Sequence, residues 1–405
     1  MTIDQSVEKP LRILAIVNLP WDARLGAARV WIELAAQWTG TGHLVEKFCL
    51  TDAFPNPVSR QWIVALQRAL FPYRAAQFVR RNASRFDVID SLIGTLPFSK
   101  KSLRFSGLVV ARSVGLHRLY DQFHRESLSR WPDQPQGSLS GRVFYTRAMR
   151  RLSKAAERAL RHCDLINLLN EDELKSLEHK PFARNKLMVQ PNGLSHQSSD
   201  LLQQAMKPAS IRLRHKKISF VGMWSLRKGL RDWPEIVRRV WEEIPDVNFT
   251  FLGTMTARQT ILRDLALEES ARVQCVEEYD PAELPGLLAD CTIGLFPSYI
   301  EGFGLAVLEQ LACGIPTVAY DVPGPRQILG SVRAMLLTPE GDAKAMADRA
   351  VRILRMSVAE YEALSAQCRS ISAQFSWERI ASDTTRLYRA ALEDLRGRQT
   401  GIGSF

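Results

Sequence analysis

The chain has 405 residues, 46% of them hydrophobic and 24% charged, with a formal net charge of +11. That length calls for two domains of about 100–200 residues each, and the balance reads as globular and excludes a disordered chain. No apolar run approaches the ~20 residues that span a bilayer, "MTIDQSVEKP" lacks the basic start and apolar core of a signal peptide, and the six cysteines stand apart, with no CxxC pattern or Cys/His cluster for structural zinc. The expectation is a cytoplasmic protein with reduced thiols.

"LRILAIVNLP" (11–20) is a short apolar run ending in a loop and reads as a buried strand. In "AARVWIELAAQWTGTGH", Val30, Leu34 and Trp38 recur at helical spacing, and the pattern stops at paired glycines. "LVEKFCL" supplies the next strand and completes a β-α-β unit. "FDVIDSLI" and "GLVVARSV" follow as apolar strands. "FYTRAMRRLSKAAERALRHC" places Tyr145, Met149, Leu152, Ala156 and Leu160 on one helical face. "DLINLL" and "KLMVQPNGL" return to strand character, with "NEDEL" (170–174) between them as a helix start rich in acids. "LLQQAMKPASIRLRHKK" (201–217) has no firm apolar period and is assigned as a linker. A second beginning follows at "KKISFVGM" (216–223): strand, Gly-containing loop, the helix "LRDWPEIVRRVWEEI", then the strand "NFTFLG". "RVQCVEEY", "CTIGLFPS", "LEQLACG", "PTVAYD" and "AMLLTP" continue the alternation, and "ERIASDTTRLYRAALEDLR" is a terminal helix. The economical reading is α/β, with two successive doubly wound domains over 1–200 and 218–376 and a last helix over 377–397.

Three loops carry chemistry. "CTIGLFPS" leads through "YIEGFG" into a helix that stops at Gly314. In open α/β sheets ligands lie beyond the carboxyl ends of strands. A helix N-terminus there favours an anion such as phosphate, and Gly302 and Gly304 allow close backbone approach. Glu301 and Glu309 repel phosphate but accept hydrogen bonds from hydroxyls. A diphosphate flanked by hydroxyl-bearing groups, a nucleotide-sugar, fits that arrangement. The plainer alternative makes Glu301 a helix cap and Glu309 a solvated residue. In "FVGMWSLRKGL", Gly222 opens a loop that brings Arg227 and Lys228 to the next helix, where positive charge stabilises a departing diphosphate; an ordinary basic loop is the alternative. In "NLPWDARLGAAR", Gly26 lies between the first strand and its helix. There is no GxGxxG fingerprint, no Walker lysine motif and no DxD. These absences argue against a dinucleotide oxidoreductase, a P-loop enzyme and a metal-held diphosphate.

Glu301-Gly302-Phe303-Gly304 followed by Glu309 resembles the E-x7-E signature of retaining, nucleotide-sugar-dependent glycosyltransferases of the GT-B fold, glycosyltransferase family 4. "LAAQWTGTGHLVEKF", "CDLINLLNEDEL", "KLMVQPNGL", "FVGMWSLRKGL", "GIPTVAYDVPGPRQIL" and "FSWERIASDTTRLYRAAL" resemble further family segments in the family's order. The resemblance implies two Rossmann-like domains facing a central cleft, with the terminal helix crossing back to the first. It implies that Glu301 contacts the transferred sugar and Glu309 the ribose. Backbone N–H groups of Phe303, Gly304 and Leu305 would hold the distal phosphate, and Lys228 would neutralise the leaving diphosphate. Gly26 would lie over the phosphates, with the base near Tyr279 in "VEEYD". No metal or other cofactor is implied, and the donor is a substrate. The chain departs from the pattern twice. Met223 stands where the family usually has Arg, which Arg227 or Arg326 would replace; Val114 stands where a cleft His is frequent, with His117 three residues on.

Charge is uneven. Residues 60–161 hold about twenty Lys/Arg against six Asp/Glu, an excess larger than that of the whole chain. A cationic first domain suits an acceptor on a lipid phosphate at an anionic membrane, with "KKSLRFSGL" and "LQRALFPYRAAQFVRR" (66–81) as docking segments. A solvated basic face is the alternative. Nucleic-acid binding is disfavoured, because the charge is spread over an α/β domain with no matching reader motif. The expected function is transfer of a hexose-type sugar to a glycan or lipid-linked acceptor in cell-surface polysaccharide or glycan synthesis, peripheral to the inner membrane face. A nucleotide-sugar binder that has lost catalysis is the alternative.

Overall fold

The computed structural model describes residues 9–56, 60–133 and 139–400. Strands β1 (Arg12–Val17), β2 (Leu44–Cys49), β3 (Val88–Leu92), β4 (Leu108–Arg112), β5 (Leu165–Leu168) and β6 (Leu187–Val189) form one parallel sheet in the order β2-β1-β3-β4-β5-β6. Strands β7 (Lys217–Val221), β8 (Asn248–Leu252), β9 (Val273–Val276), β10 (Ile293–Phe296), β11 (Thr317–Tyr320) and β12 (Leu337–Thr338) form a second, ordered β12-β11-β10-β7-β8-β9. The central strands read as continuous apolar runs because helices cover both faces of each sheet. Leu14 and Ile16 face one core of the first domain, Ile13, Ala15 and Val17 the other.

Helix α1 (Gly26–Gly40) buries Val30, Leu34 and Trp38, as their spacing predicts. Helices α2 (Gln61–Asn82), α3 (His117–Arg130), α4 (Leu139–His162) and α5 (Glu171–Leu177) are the longer remaining helices of the first domain. On α4 the expected apolar face is only partly used. Leu160 is buried, Met149 and Ala156 are half-buried, and Leu152 is 47% exposed. The Tyr145 side chain lies outside the described residues.

The segment 201–217 is not a free linker. It consists mainly of the end of α6 (His196–Ala205) and of α7 (Ala209–His215), both packed on the second domain. Leu202 and Ala209 join that domain's core. The buried Arg212 donates to the carbonyls of Ala289 (3.1 Å) and Gly314 (3.3 Å). An arginine makes the contact that a run of leucines would have advertised, so no apolar period is visible.

Two strands of chain cross between the domains, where Leu194 bridges Ser376. Helix α9 (Trp377–Thr400) then lies on the first domain, with Trp377, Ile380 and Tyr388 in its core. Asp90 on β3 anchors this return. It accepts from Arg112 (2.7 Å), from Trp31 Nε1 (3.2 Å) and from the Tyr388 hydroxyl, all buried.

Candidate active site

Loops leaving the carboxyl ends of both sheets enclose a cleft of about 740 Å³. Gly26 and Val114 line it from the first domain; Gly222, Arg227, Lys228, Tyr279, Glu301, Phe303, Gly304, Leu305 and Glu309 line it from the second. Of the residues singled out by sequence, Gly302, His117 and Arg326 do not line it.

Helix α8 (Leu305–Ala312) starts at the cleft. Gly304 is its N-cap with φ +96°, in the left-handed region open to glycine, and no side chain caps the helix. Its first N–H groups therefore point outward unsatisfied by side chains. Val307, Leu308 and Leu311 face the core, which leaves Glu309, one turn in, at the cleft wall. Arg29 on α1 reaches across from the first domain and donates to Glu309 Oε1 at 2.6 Å, while its Nε lies 3.4 Å from Glu33. Burial opposes the charge on Arg29, but the two carboxylates prevail and its pKa is raised.

Glu301 pairs with the buried Lys228, and Arg227 Nη1 stands 3.9 Å away. Burial pushes the Lys228 ammonium below the usual lysine pKa, with Glu301 opposing and Arg227 reinforcing the shift. The ammonium also lies 4.2 Å from the Phe296 ring centre. Met223 is half exposed at the cleft. Arg227 stands beside it in the cleft, whereas Arg326 is tied to Asp321 (2.6 Å) and Asp172 (3.0 Å) outside it. Of the two arginines offered as replacements for the one missing at Met223, Arg227 is the one in position.

Gly302 marks the contact between domains. A Cβ there would meet Gly115 Cα and Leu169 Cδ1 at 3.0 Å. Its carbonyl accepts from Asn170 Nδ2 at 2.6 Å, while Asn170 Oδ1 caps α5 through the Glu173 N–H (2.8 Å). Glu173 is buried and accepts from the N–H groups of Leu116 (2.8 Å) and Leu169 (2.9 Å) and from Ser113 Oγ (3.0 Å). It ties the loops after β4 and β5 together, and burial raises its pKa.

His117 opens α3 and does not line the cleft. Its Nε2 is buried with no hydrogen-bond partner among the described residues, and burial lowers its pKa. Tyr120, one turn on, lines the cleft instead, and its hydroxyl pKa is raised by burial and by nearby Glu301. Sequence reasoning missed Tyr120 and Arg29. Each lies three residues beyond a position that was singled out, but nothing in that spacing alone marks it as a cleft residue.

Residues 215–356 match the family described as "Glycosyl transferases group 1". The fold superposes on sucrose-phosphate synthase from Thermosynechococcus elongatus with a TM-score of 0.67 at 18% identity, over 94% of this chain and 98% of that one. The chain has the GT-B fold, and its second domain carries the group 1 glycosyl transferase match. A second GT-B neighbour, Anabaena Alr3699/HepE in complex with UDP and glucose, gives a TM-score of 0.63 at 15% identity, covering 93% and 99% of the two chains. A curated relative, the D-inositol 3-phosphate glycosyltransferase of Corynebacterium urealyticum, is 29% identical over 201 residues. That match covers 46% of this chain, which thus spans about half the length of that relative.

Proposed function

We propose that this GT-B protein is a retaining glycosyltransferase. It moves a hexose-type sugar from a nucleoside diphosphate to a glycan or lipid-linked saccharide, in cell-surface polysaccharide or glycan synthesis. The observation that carries the reading is the convergence of Glu301, Lys228, the α8 start and Glu309 on one cleft. Ribose hydroxyls replace Arg29 at Glu309, and the base lies near Tyr279. The diphosphate lies on the N–H groups of Phe303, Gly304 and Leu305, with Gly26 above it. Glu301 accepts from a sugar hydroxyl. The bond between the anomeric carbon and the diphosphate oxygen breaks as the acceptor oxygen bonds to that carbon on the same face. The acceptor's proton passes to the departing phosphate, so no metal is required. Lys228 and Arg227 neutralise the charge that develops on the leaving oxygen. A neighbour whose structure holds UDP and glucose supports a donor of this class.

The test joins thermal-shift screening against nucleotides and nucleotide-sugars to transfer assays. Glu309→Ala removes charge-assisted hydrogen bonds and should weaken nucleotide binding by about ten- to a hundredfold. Lys228→Ala should cut kcat by about a hundredfold. Unchanged affinity in the first variant and unchanged turnover in the second would sink the site assignment.

Met223 and Val114 line the cleft where the family pattern has Arg and His, and they favour one second reading, a donor binder without catalysis. Nucleotide binding with neither transfer nor donor hydrolysis across a broad acceptor panel selects it.

The cationic first domain further suits a peripheral position at an anionic inner membrane face, with α2 as the docking element. Among the described residues no helix is long and apolar enough to cross a membrane.

A further inference from the structure

A second cavity, of about 280 Å³, adjoins the cleft on the far side of Glu301 and Tyr120, which line both. Any molecule in it lies next to the centre where the sugar is transferred. Its walls come from α3, the start of α5, and the segments that follow β4, β10, β11 and β12.

The charge of those walls is one-sided. Glu126, Asp172, Glu173, Asp321 and Glu340 line the cavity beside Glu301, and Arg326 is the cation among them. Arg326 is already bound by Asp321 (2.6 Å) and Asp172 (3.0 and 3.2 Å). Nearby Arg130 is spent on Glu340 (3.0 Å) and on the face of Tyr299 (4.8 Å). Phe123 and Tyr299 add aromatic faces, 6.0 Å apart between ring centres, and Gln122 supplies an uncharged polar group.

We propose that this cavity is selective for an uncharged, hydroxyl-rich acceptor ring, a sugar or cyclic polyol without phosphate on the ring that is glycosylated. Carboxylates accept hydrogen bonds from hydroxyls, and the aromatic faces cover the apolar side of a ring. A phosphate ester would bring negative charge against a wall of carboxylates whose neighbouring cations are already engaged, and such like-charge contacts are strongly disfavoured. The curated relative named for D-inositol 3-phosphate carries a phosphorylated polyol in its name. The acidic wall in this chain is set against that choice. A phosphate on a carrier lipid would have to sit outside the cavity, toward the basic surface of the first domain.

This inference rests on the proposed glycosyl transfer, so the experiment separates the two. Nucleotide binding is established first by thermal shift on the full chain. Donor turnover, whether by transfer or by hydrolysis, is then followed with matched acceptor pairs. Each pair is a methyl hexoside or myo-inositol and its phosphate monoester. The uncharged member should be favoured in kcat/KM by about a hundredfold. Asp172→Asn releases Arg326 from one partner and should shrink that ratio by about tenfold while leaving nucleotide affinity unchanged. Phosphate esters that match or outperform their parents overturn the selectivity while leaving the glycosyltransferase reading intact. Turnover that no member of any pair alters also counts against the cavity. Failure to bind any nucleotide overturns the function reading beneath it.

Discussion

His117 and Tyr120 stand one turn apart on α3, and their seats differ. Tyr120 lines the cleft, while His117 opens the helix half-buried beside it. Burial lowers the imidazole pKa below its ordinary 6.5. The unfolded chain then binds a proton that the folded one refuses, so this residue's stability contribution is full above about pH 6.5 and is lost as pH falls through the lower folded value. Melting temperatures from pH 7.5 to 5 should therefore fall less steeply in His117→Gln than in the parent. Identical slopes would mean the ring is solvated. The residues of the α8 loop were legible because loop, glycine and helix are contiguous, and a helix start defines its own anion seat. Arg29 and Tyr120 were not. Arg29 finds its carboxylate 280 positions away, on another domain, and no local pattern encodes that pairing.

Among elements, the strands and the helices with a clean apolar stripe were readable, because a parallel sheet demands continuous apolar runs. The segment 201–217 was not, since Arg212 makes its central contact. Helix α2 is the opposite case. It buries Phe71, Ala75 and Val79 yet exposes Trp62, Leu66, Leu70 and Tyr73 along one stripe, with Trp62 64% and Tyr73 65% exposed. Arg68, Arg74 and Arg81 lie on the same helix. Large apolar side chains beside arginines suit the interface of an anionic bilayer. The protein should co-sediment with vesicles containing phosphatidylglycerol, less so at high salt. Trp62→Ser with Leu66→Ser should weaken that binding by more than about tenfold, since each side chain carries about 1.5–3 kcal/mol of burial. Turnover on a soluble acceptor should hold. Equal sedimentation of parent and variant would remove α2 from the membrane.

At the scale of the whole molecule, the two domains are joined in two ways. One is the crossing at Leu194 and Ser376, where Trp377 donates to the Leu194 carbonyl at 3.0 Å. Across the cleft the polar contacts include Arg29–Glu309 (2.6 Å), Arg326–Asp172 (3.0 Å), Arg130–Glu340 (3.0 Å) and Asn170 with the Gly302 carbonyl (2.6 Å). Contacts of this kind exchange readily for water or ligand, so relative domain motion is the expectation. Arg29 occupies the carboxylate that the proposed donor needs for its ribose. Closure without nucleotide and closure around nucleotide then compete for one group, Glu309, which is only 7% exposed. Arg29→Gln should lower the melting temperature of the free protein, because a nearly buried carboxylate loses its partner at a cost of about 1–3 kcal/mol. Nucleotide binding should recover that loss, since ribose hydroxyls fill the vacancy. The thermal shift produced by saturating UDP, the first probe to use, should therefore be larger in the variant than in the parent. Small-angle scattering should show a wider free form that contracts when UDP is added. Equal shifts in the two proteins would mean that Arg29 and the ribose do not share Glu309, and the competition would fail.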